Sequence, residues 1–172
     1  QTGAAPTAPI VLGTTPTNDP TPTWNWSPGG GGNGTYRYKL DNSDLTSGAT
    51  TTTSTSYTPG SGISVGSHTL YVQERDAAGN WSSSGSRTIV IDTTAPTAPS
   101  VSGTTPTNDT TPTWSWSAGG GGNGTYRYKL DNSDLTSGAT QTTSTSYTPG
   151  SGISVGSHTL YVQERDAAGN WS

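Results

Sequence analysis

The chain has 172 residues, a formal net charge of −4 and no cysteine. The lack of cysteine excludes disulfides and thiol chemistry, and an acidic chain without a basic stripe is poorly suited to neutralising nucleic-acid phosphates. No stretch approaches the roughly 18–20 apolar residues of a membrane-spanning helix, and residues 1–9 do not form a signal peptide. We therefore expect no nucleic-acid partner and no membrane insertion.

The chain contains one sequence unit twice. Residues 95–172 repeat residues 5–82 with an offset of 90 residues and only six differences. A period of this length exceeds that of most solenoid repeats, which predicts that each copy is a domain of its own. We place the domains at residues 1–92 and 93–172, with the second lacking the counterpart of the last strand of the first.

The pattern of each copy predicts an all-β fold. No window keeps a helical apolar period, and the 24 Gly and 12 Pro residues interrupt every segment. Strand patterns instead recur about every ten residues, which is typical of an antiparallel sandwich. In chain order, the strands predicted for the first copy are 9–13, 21–27, 35–41, 49–53, 55–58, 68–75 and 87–91.

Alternation along two of these strands predicts which side chains face the core. Trp24 and Trp26 share one face of the second strand, and Tyr36, Tyr38 and Leu40 share one face of the third. Because side chains alternate between the two sides of a strand, these aromatic residues are expected to form much of the core.

The last strand of the first copy, residues 87–91, is expected to pair with strand 68–75. This pairing places Ile89 and Ile91 against the core. Each such side chain contributes about 1.5–3 kcal/mol when buried. The second copy stops before the equivalent segment, so we expect it to be a trimmed copy or one that borrows a strand.

Glu74 lies in phase with Leu70 and is predicted to point inward near the end of its strand. A buried carboxylate needs a partner because an unpaired buried charge is costly. Arg37 and Arg87 are the candidate partners. The alternative is that the strand has already left the core at Glu74.

A glycine-rich segment, residues 28–34, separates the second and third strands. Glycine tolerates positive φ, so this segment is expected to form a tight or mobile loop. No helix and no Lys-Ser/Thr pair follows it, so it does not have the pattern of a phosphate-binding loop.

Four segments together resemble a known family. They are Tyr-Arg-Tyr-Lys-Leu-Asp at 36–41, Gly-Ser-His-Thr-Leu-Tyr-Val at 66–72, Asp-Ala-Ala-Gly-Asn at 76–80 and Asp-Thr-Thr-Ala-Pro at 92–96. The chain resembles the bacterial Ig-like, fibronectin III-related repeat that occurs in tandem along large surface proteins and adhesins. The resemblance implies two tandem Ig-like, Greek-key sandwiches in an extended arrangement. Glu74, where relatives carry a small residue, and the low Asp count depart from the family pattern.

The resemblance also implies Ca²⁺ at domain joints in some relatives. In an Ig-like topology Asp19, Asp92 and Asp166 approach the joint from separate elements, and their carboxylates can supply the oxygen ligands that Ca²⁺ requires. The alternative is that the three are ordinary turn and cap residues bonded to nearby backbone N–H groups. No other cofactor is expected.

Enzymatic activity is not expected. His68 and His158 are the same position in the two copies, and no serine lies in a nucleophile-elbow context. An active site is needed only once, whereas a spacer gains from every added copy. We therefore predict monomeric, structural stalk repeats of a bacterial adhesin, extracellular on the cell surface, whose partners are the neighbouring identical repeats.

A binding module is the alternative function. In this case the repeats themselves touch a glycan or a partner protein through Tyr71, Trp81 and the glycine-rich loop. Tyr71 lies out of phase with the inward residues of its strand, and Trp81 ends the turn that follows, so both side chains are expected to be partly exposed.

Overall fold

The computed structural model describes residues 3–172 and divides the chain into two compact units, one ending at Thr93 and the other comprising Thr94–Ser172. Every strand pair in this range is antiparallel. No helix of the described residues is long and apolar enough to cross a membrane. The predicted all-β class is confirmed.

Unit 1 is an Ig-like sandwich of two sheets. Its strands are β1 (Ile10–Leu12), β2 (Trp24–Ser27), β3 (Thr35–Leu40), β4 (Thr50–Thr52), β5 (Ser56–Tyr57), β6 (Gly66–Arg75) and β7 (Gly85–Ile91). One sheet has the order β1-β2-β5 and the other β4-β3-β6-β7. Seven strands were predicted for this copy at nearly the same positions. The largest shift is at β2, which begins at Trp24 rather than at residue 21.

The core of unit 1 lies between the two sheets. Trp24 and Trp26 come from one sheet, and Tyr36 comes from the other. The Trp26 and Tyr36 rings meet edge to face with their centroids 5.9 Å apart, an arrangement that aromatic pairs favour. Tyr38 and Leu40 pack against the same cluster. The predicted faces of β2 and β3 are therefore confirmed.

Strand β7 closes this core. It pairs with β6 from Gly66 to Val72, and Thr17 forms a parallel bridge to Ile91 on its other side. Ile89 and Ile91 are 0% and 1% exposed. The predicted pairing and burial of the last strand are confirmed, and the strand begins two residues earlier than predicted.

Unit 2 has the same two sheets without a counterpart of β7 in the described residues. Its strands are β8 (Ser100–Ser102), β9 (Trp114–Ser117), β10 (Thr125–Leu130), β11 (Thr140–Thr142), β12 (Ser146–Tyr147) and β13 (Leu160–Arg165). Strand β13 is an edge strand in the order β11-β10-β13. It begins at Leu160, four residues later than the equivalent start of β6, so pairing with β7 is what extends β6.

We predict that unit 2 of this 172-residue chain unfolds at lower denaturant concentration than unit 1. The reason is that unit 1 buries Ile89 and Ile91, worth about 1.5–3 kcal/mol each. Urea unfolding followed by residue-resolved NMR measures both units in one sample. Coincident midpoints for the two units would contradict the prediction.

Candidate functional site

Each of the three predicted calcium ligands forms hydrogen bonds within its own unit. Asp19 Oδ1 accepts hydrogen bonds from the Thr21 backbone N–H at 2.9 Å and the Thr21 hydroxyl at 3.1 Å. The Asp92 backbone N–H donates to the Thr17 carbonyl at 2.9 Å. Asp19 therefore acts as the turn residue described by the alternative interpretation.

Asp166 is 5% exposed and holds the turn that follows β13. Its two carboxylate oxygens accept from the Asn170 backbone N–H at 2.8 Å and from the Asn170 side-chain amide at 3.0 Å. Burial raises the pKa of Asp166, but hydrogen bonds from the Asn170 side chain and from the backbone of Asn170, Ala168 and Gly169 together outweigh it, so the net pKa is lowered. Within residues 3–172 neither unit gathers three His, Cys, Asp or Glu side chains in metal-binding positions. Ca²⁺ between the units stays a prediction.

His68 forms a cluster with Asp41 and Ser64 that has the composition of a hydrolase triad. Its Nδ1 lies 2.6 Å from Asp41 Oδ2, and its Nε2 lies 3.2 Å from the Ser64 hydroxyl. The same Nε2 is only 2.7 Å from the Ser64 carbonyl oxygen. Neither the carboxylate nor the carbonyl can donate, so this geometry favours the protonated ring, in which both nitrogens donate, and it raises the pKa of His68. A protonated ring cannot accept the serine proton as a catalytic base must.

This cluster links the end of β3 to the start of β6 and to the segment that precedes β6. Asp41 directly follows β3 and has φ 61°, and its Oδ1 accepts from the Thr69 backbone N–H at 2.7 Å. The hydrogen bond from the His68 ring to Asp41 raises the pKa of His68; burial opposes this shift, and the Ser64 carbonyl adds to it. Unit 2 repeats the pair, with His158 Nδ1 2.6 Å from Asp131 Oδ2.

Glu74 points into the interior and is 1% exposed, which confirms the inward prediction. Its partner is neither Arg37 nor Arg87. Glu74 Oε1 accepts from the Gly34 backbone N–H at 3.0 Å, whereas Arg37 bonds Gln73 and Arg87 bonds the Gly13 carbonyl. The proposed arginine pairing was wrong because Arg37 lies opposite Gln73, on the other face of the sheet from Glu74, and Arg87 lies opposite Leu70, four residues before Glu74 in β6.

The glycine-rich loop is tight because it covers Glu74. A Cβ on Gly32 would lie 2.1 Å from Glu74 Cδ, so only glycine allows this approach. The loop is also fixed by hydrogen bonds from Thr7 N–H to the Gly30 carbonyl at 2.9 Å and from Asn33 N–H to the Arg75 carbonyl at 2.8 Å. Its glycines permit close packing on a carboxylate, which composition alone does not reveal.

Two arginine side chains lie over the ring of Trp81 on the outer face of the larger sheet. The guanidinium carbons of Arg37 and Arg75 lie 4.3 Å and 5.6 Å from its ring centroid, and both fall within cation–π range. Arg37 is also fixed by a 2.8 Å hydrogen bond from its Nε to Gln73. Tyr71 and Trp81 are both partly exposed, as predicted. The stacked Arg37 takes up ring surface that a sugar would need for stacking.

The stability of the chain is predicted to decrease as pH rises above the ordinary histidine pKa of 6.5. The folded state raises the pKa of His68 and His158, so their contribution is complete below the unfolded pKa and is lost as pH passes the raised folded pKa. Urea midpoints measured from about pH 5 to 9 check this. In the His68→Gln, His158→Gln variant this fall should flatten, and an unchanged profile in the variant would contradict the assignment.

Substitution of Gly32 and its counterpart Gly122 by alanine is predicted to destabilise the chain by about 1–3 kcal/mol per unit, the usual cost of overpacking. Each new Cβ would meet the buried glutamate at 2.1 Å. The matched control is alanine at Gly60 and Gly150, where nothing lies within 4 Å. Chemical denaturation measures both variants. Equal midpoints for the two would show that the loop does not pack on Glu74 and Glu164.

Comparison with known proteins gives a likeness to solved structures and to nothing else. No family model and no curated protein matches the chain. Among solved structures, the chain is similar to the central fibronectin-III array of RIM-binding protein, at 17% identity and a TM-score of 0.36, over 98% of this chain and 67% of the other. At this level the likeness adds nothing to what the strand pairing of each unit establishes by itself.

Proposed function

We propose that the chain is a structural spacer, a pair of repeats from an extracellular stalk on a bacterial surface. The observation that carries the proposal is that the buried-glutamate, histidine–aspartate and tryptophan–arginine contacts of unit 1 all recur in unit 2. A buried glutamate oxygen accepts from a backbone N–H of the glycine-rich loop at 3.0 Å in unit 1 and 2.9 Å in unit 2. A histidine Nδ1 lies 2.6 Å from an aspartate Oδ2 in both units. Copying a whole domain, loops included, is useful where each copy adds the same length.

The chemistry of the side chains supports the same role. The histidine rings are hydrogen-bonded to an aspartate and to a loop carbonyl, and the buried glutamates bond loop backbone. The arginines near Trp81 and Trp171 stack on their own domain. These groups hold the loops of each sandwich rather than pointing into a shared cleft. A spacer needs this kind of polar domain, whose charged side chains serve its own loops.

A binding module is the second candidate, and the partly exposed face of β3 and β6 favours it. Tyr71 lies opposite Lys39 across these strands, and Arg75 lies near Trp81. In an acidic chain this is a local group of cations beside aromatic rings, which suits an acidic glycan or protein surface. The face recurs in unit 2, so such binding would be multivalent.

A display experiment tests the spacer proposal. The chain is inserted in zero, one or two copies between a surface anchor and a binding domain on bacteria, and capture of target-coated beads is counted. We expect capture to rise with copy number and to be the same for the Tyr71→Ser, Tyr161→Ser variant, because these side chains lie on the outer face.

Bead capture and a glycan array together distinguish the spacer from the binding module. Bead capture that does not change with copy number contradicts the spacer proposal. Binding of the isolated chain to an acidic glycan on an array, lost in the Tyr71→Ser, Tyr161→Ser variant, would establish the binding module instead.

Small-angle scattering adds an independent check of the spacer proposal. A spacer should give the dimensions of two domains in line, and a compact pair would oppose it.

A further inference from the structure

Most of the basic residues of the chain lie in a row on the outer face of one sheet in each unit. In unit 1, Arg37 and Lys39 are two residues apart on β3, and Arg75 of β6 lies opposite Thr35. Side chains that are directly opposite or two residues apart share one face of a sheet, so these three cations follow one another along the strands at steps of about 7 Å. We call these three residues the cation row. In unit 2 the cation row is Arg127, Lys129 and Arg165.

The two rows contain six of the seven Lys and Arg residues of the chain. The seventh is Arg87, which lies opposite Leu70, a buried residue, and bonds the Gly13 carbonyl on the inner side of the sheet. An acidic chain therefore concentrates its positive charge on two copies of one surface. This surface is suited to an anionic partner even though the net charge of the chain is −4.

Contacts within the domain hold the guanidinium groups of the row in place. The guanidinium carbons of Arg37 and Arg75 lie 4.3 Å and 5.6 Å from the ring centroid of Trp81. Arg37 Nε donates to Gln73 Oε1 at 2.8 Å. These contacts use the flat face and the Nε of Arg37, so its two terminal nitrogens keep their N–H groups for a carboxylate or sulfate. A fixed guanidinium loses less side-chain freedom when it binds an anion.

Asp44 is a carboxylate that acts on the row from its edge. Hydrogen bonds from the Thr46 hydroxyl and backbone N–H lower the pKa of Asp44, and the nearby charges of Lys39 and Arg37 lower it further. Asp134 has the same position in unit 2. The row thus keeps an excess of positive charge, and Asp44 opposes part of it.

Polar side chains border the row on the neighbouring strands. Thr51 of β4 lies opposite Arg37, and Ser86 of β7 lies opposite Tyr71. In unit 2 Gln141 takes the place of Thr51. Hydroxyl and amide groups can bond the hydroxyls of a sugar, whereas the centre of a protein interface is mainly apolar and poor in charge. The surroundings of the row therefore favour an acidic glycan over an acidic protein.

We propose that the cation row of each unit binds a linear acidic polysaccharide through its carboxylate or sulfate groups. The anionic groups bond Arg37, Lys39 and Arg75, and sugar hydroxyls bond the polar side chains beside them. The attraction is between charges, since Arg37 already covers the ring of Trp81. Two rows in one chain allow a long polysaccharide to bind at both. This proposal gives the binding-module candidate its ligand and rests on that candidate rather than on the spacer function.

The test uses the 172-residue chain and three fluorescent oligosaccharides of matched length, which are a polygalacturonate, a dextran sulfate and a neutral dextran. We expect saturable binding of an acidic oligosaccharide by fluorescence anisotropy at low salt, with a Kd below about 1 mM, and no binding of dextran. Added salt should weaken binding because it screens exposed charges. The two acidic oligosaccharides show whether the row takes carboxylate or sulfate.

One pair of variants tests whether the cations of the row carry the binding. Lys39→Gln with Lys129→Gln removes one charge from each row and should weaken binding about twofold or more, the effect of one exposed charge pair. Lys39→Arg with Lys129→Arg is the matched control, because it keeps the charge and should bind at least as tightly as the unaltered chain.

A second pair of variants predicts a gain of affinity, which misfolding does not produce. Asp44→Asn with Asp134→Asn removes the opposing carboxylates and should strengthen binding about twofold or more. The matched control is Asp19→Asn with Asp109→Asn. It changes the net charge equally, and Asp19 accepts the same hydrogen bonds from a threonine two residues later as Asp44 does. The control should leave the affinity unchanged.

Four results would overturn the proposal. The first is no saturable binding of either acidic oligosaccharide up to about 1 mM, and the second is equal affinity for neutral dextran. The third is an equal gain in the Asp44→Asn and Asp19→Asn pairs, which would assign binding to net charge alone. The fourth is tighter binding of a polyglutamate peptide or a single-stranded DNA of equal charge, which would assign the row to a protein or a nucleic acid. None of these results changes the dependence of bead capture on copy number, which tests the spacer separately.

Discussion

The fit of β7 between β6 and the segment around Thr17 is the interaction on which the rest of unit 1 depends. On one side it completes a ladder from Gly66 to Val72, and on the other it bonds Thr15 and Thr17. Its inward residues then fill the space between the sheets. A small domain buries little apolar surface and has a small free energy of unfolding. A strand that buries two isoleucines therefore contributes much of this free energy.

Polar groups support this core from the loops. Glu74 lies beneath the glycine-rich loop, and His68 joins the end of β3 to the start of β6. Arg37 covers Trp81 on the outer face. Each group bonds or stacks on another part of its own domain, and each recurs in the second unit. A domain that uses these groups to hold its own loops is suited to repetition, which supports the spacer proposal.

The alternation of side chains along the strands was sufficient to predict which residues face the core. The alternation that placed Trp24, Trp26 and Ile89 in the core also placed Glu74 there, because a period of two applies to a carboxylate as it does to an apolar side chain. The start of β7 at Gly85 was missed, since glycine carries no hydrophobic signal. The early start of β6 was missed for the same reason at Gly66.

Partners from distant segments could not be predicted. The Gly34 N–H meets Glu74 because the loop folds back over β6, and sequence spacing does not encode that path. The raised pKa of His68 depends on Asp41, 27 residues earlier in the chain, and on the Ser64 carbonyl. The Arg37–Trp81 stack joins two segments 44 residues apart, through the pairing of β3 with β6 and the turn that follows. Such contacts follow from topology, whereas the core faces follow from local pattern.

Amide hydrogen exchange of the intact chain tests the central role of β7 most directly, because the two units differ by this strand while sharing nearly all other residues. The account predicts slow exchange for the β6 amides that face β7 between Gly66 and Val72, and fast exchange for the equivalent amides between residues 156 and 162. Equal protection of the two sets would contradict it.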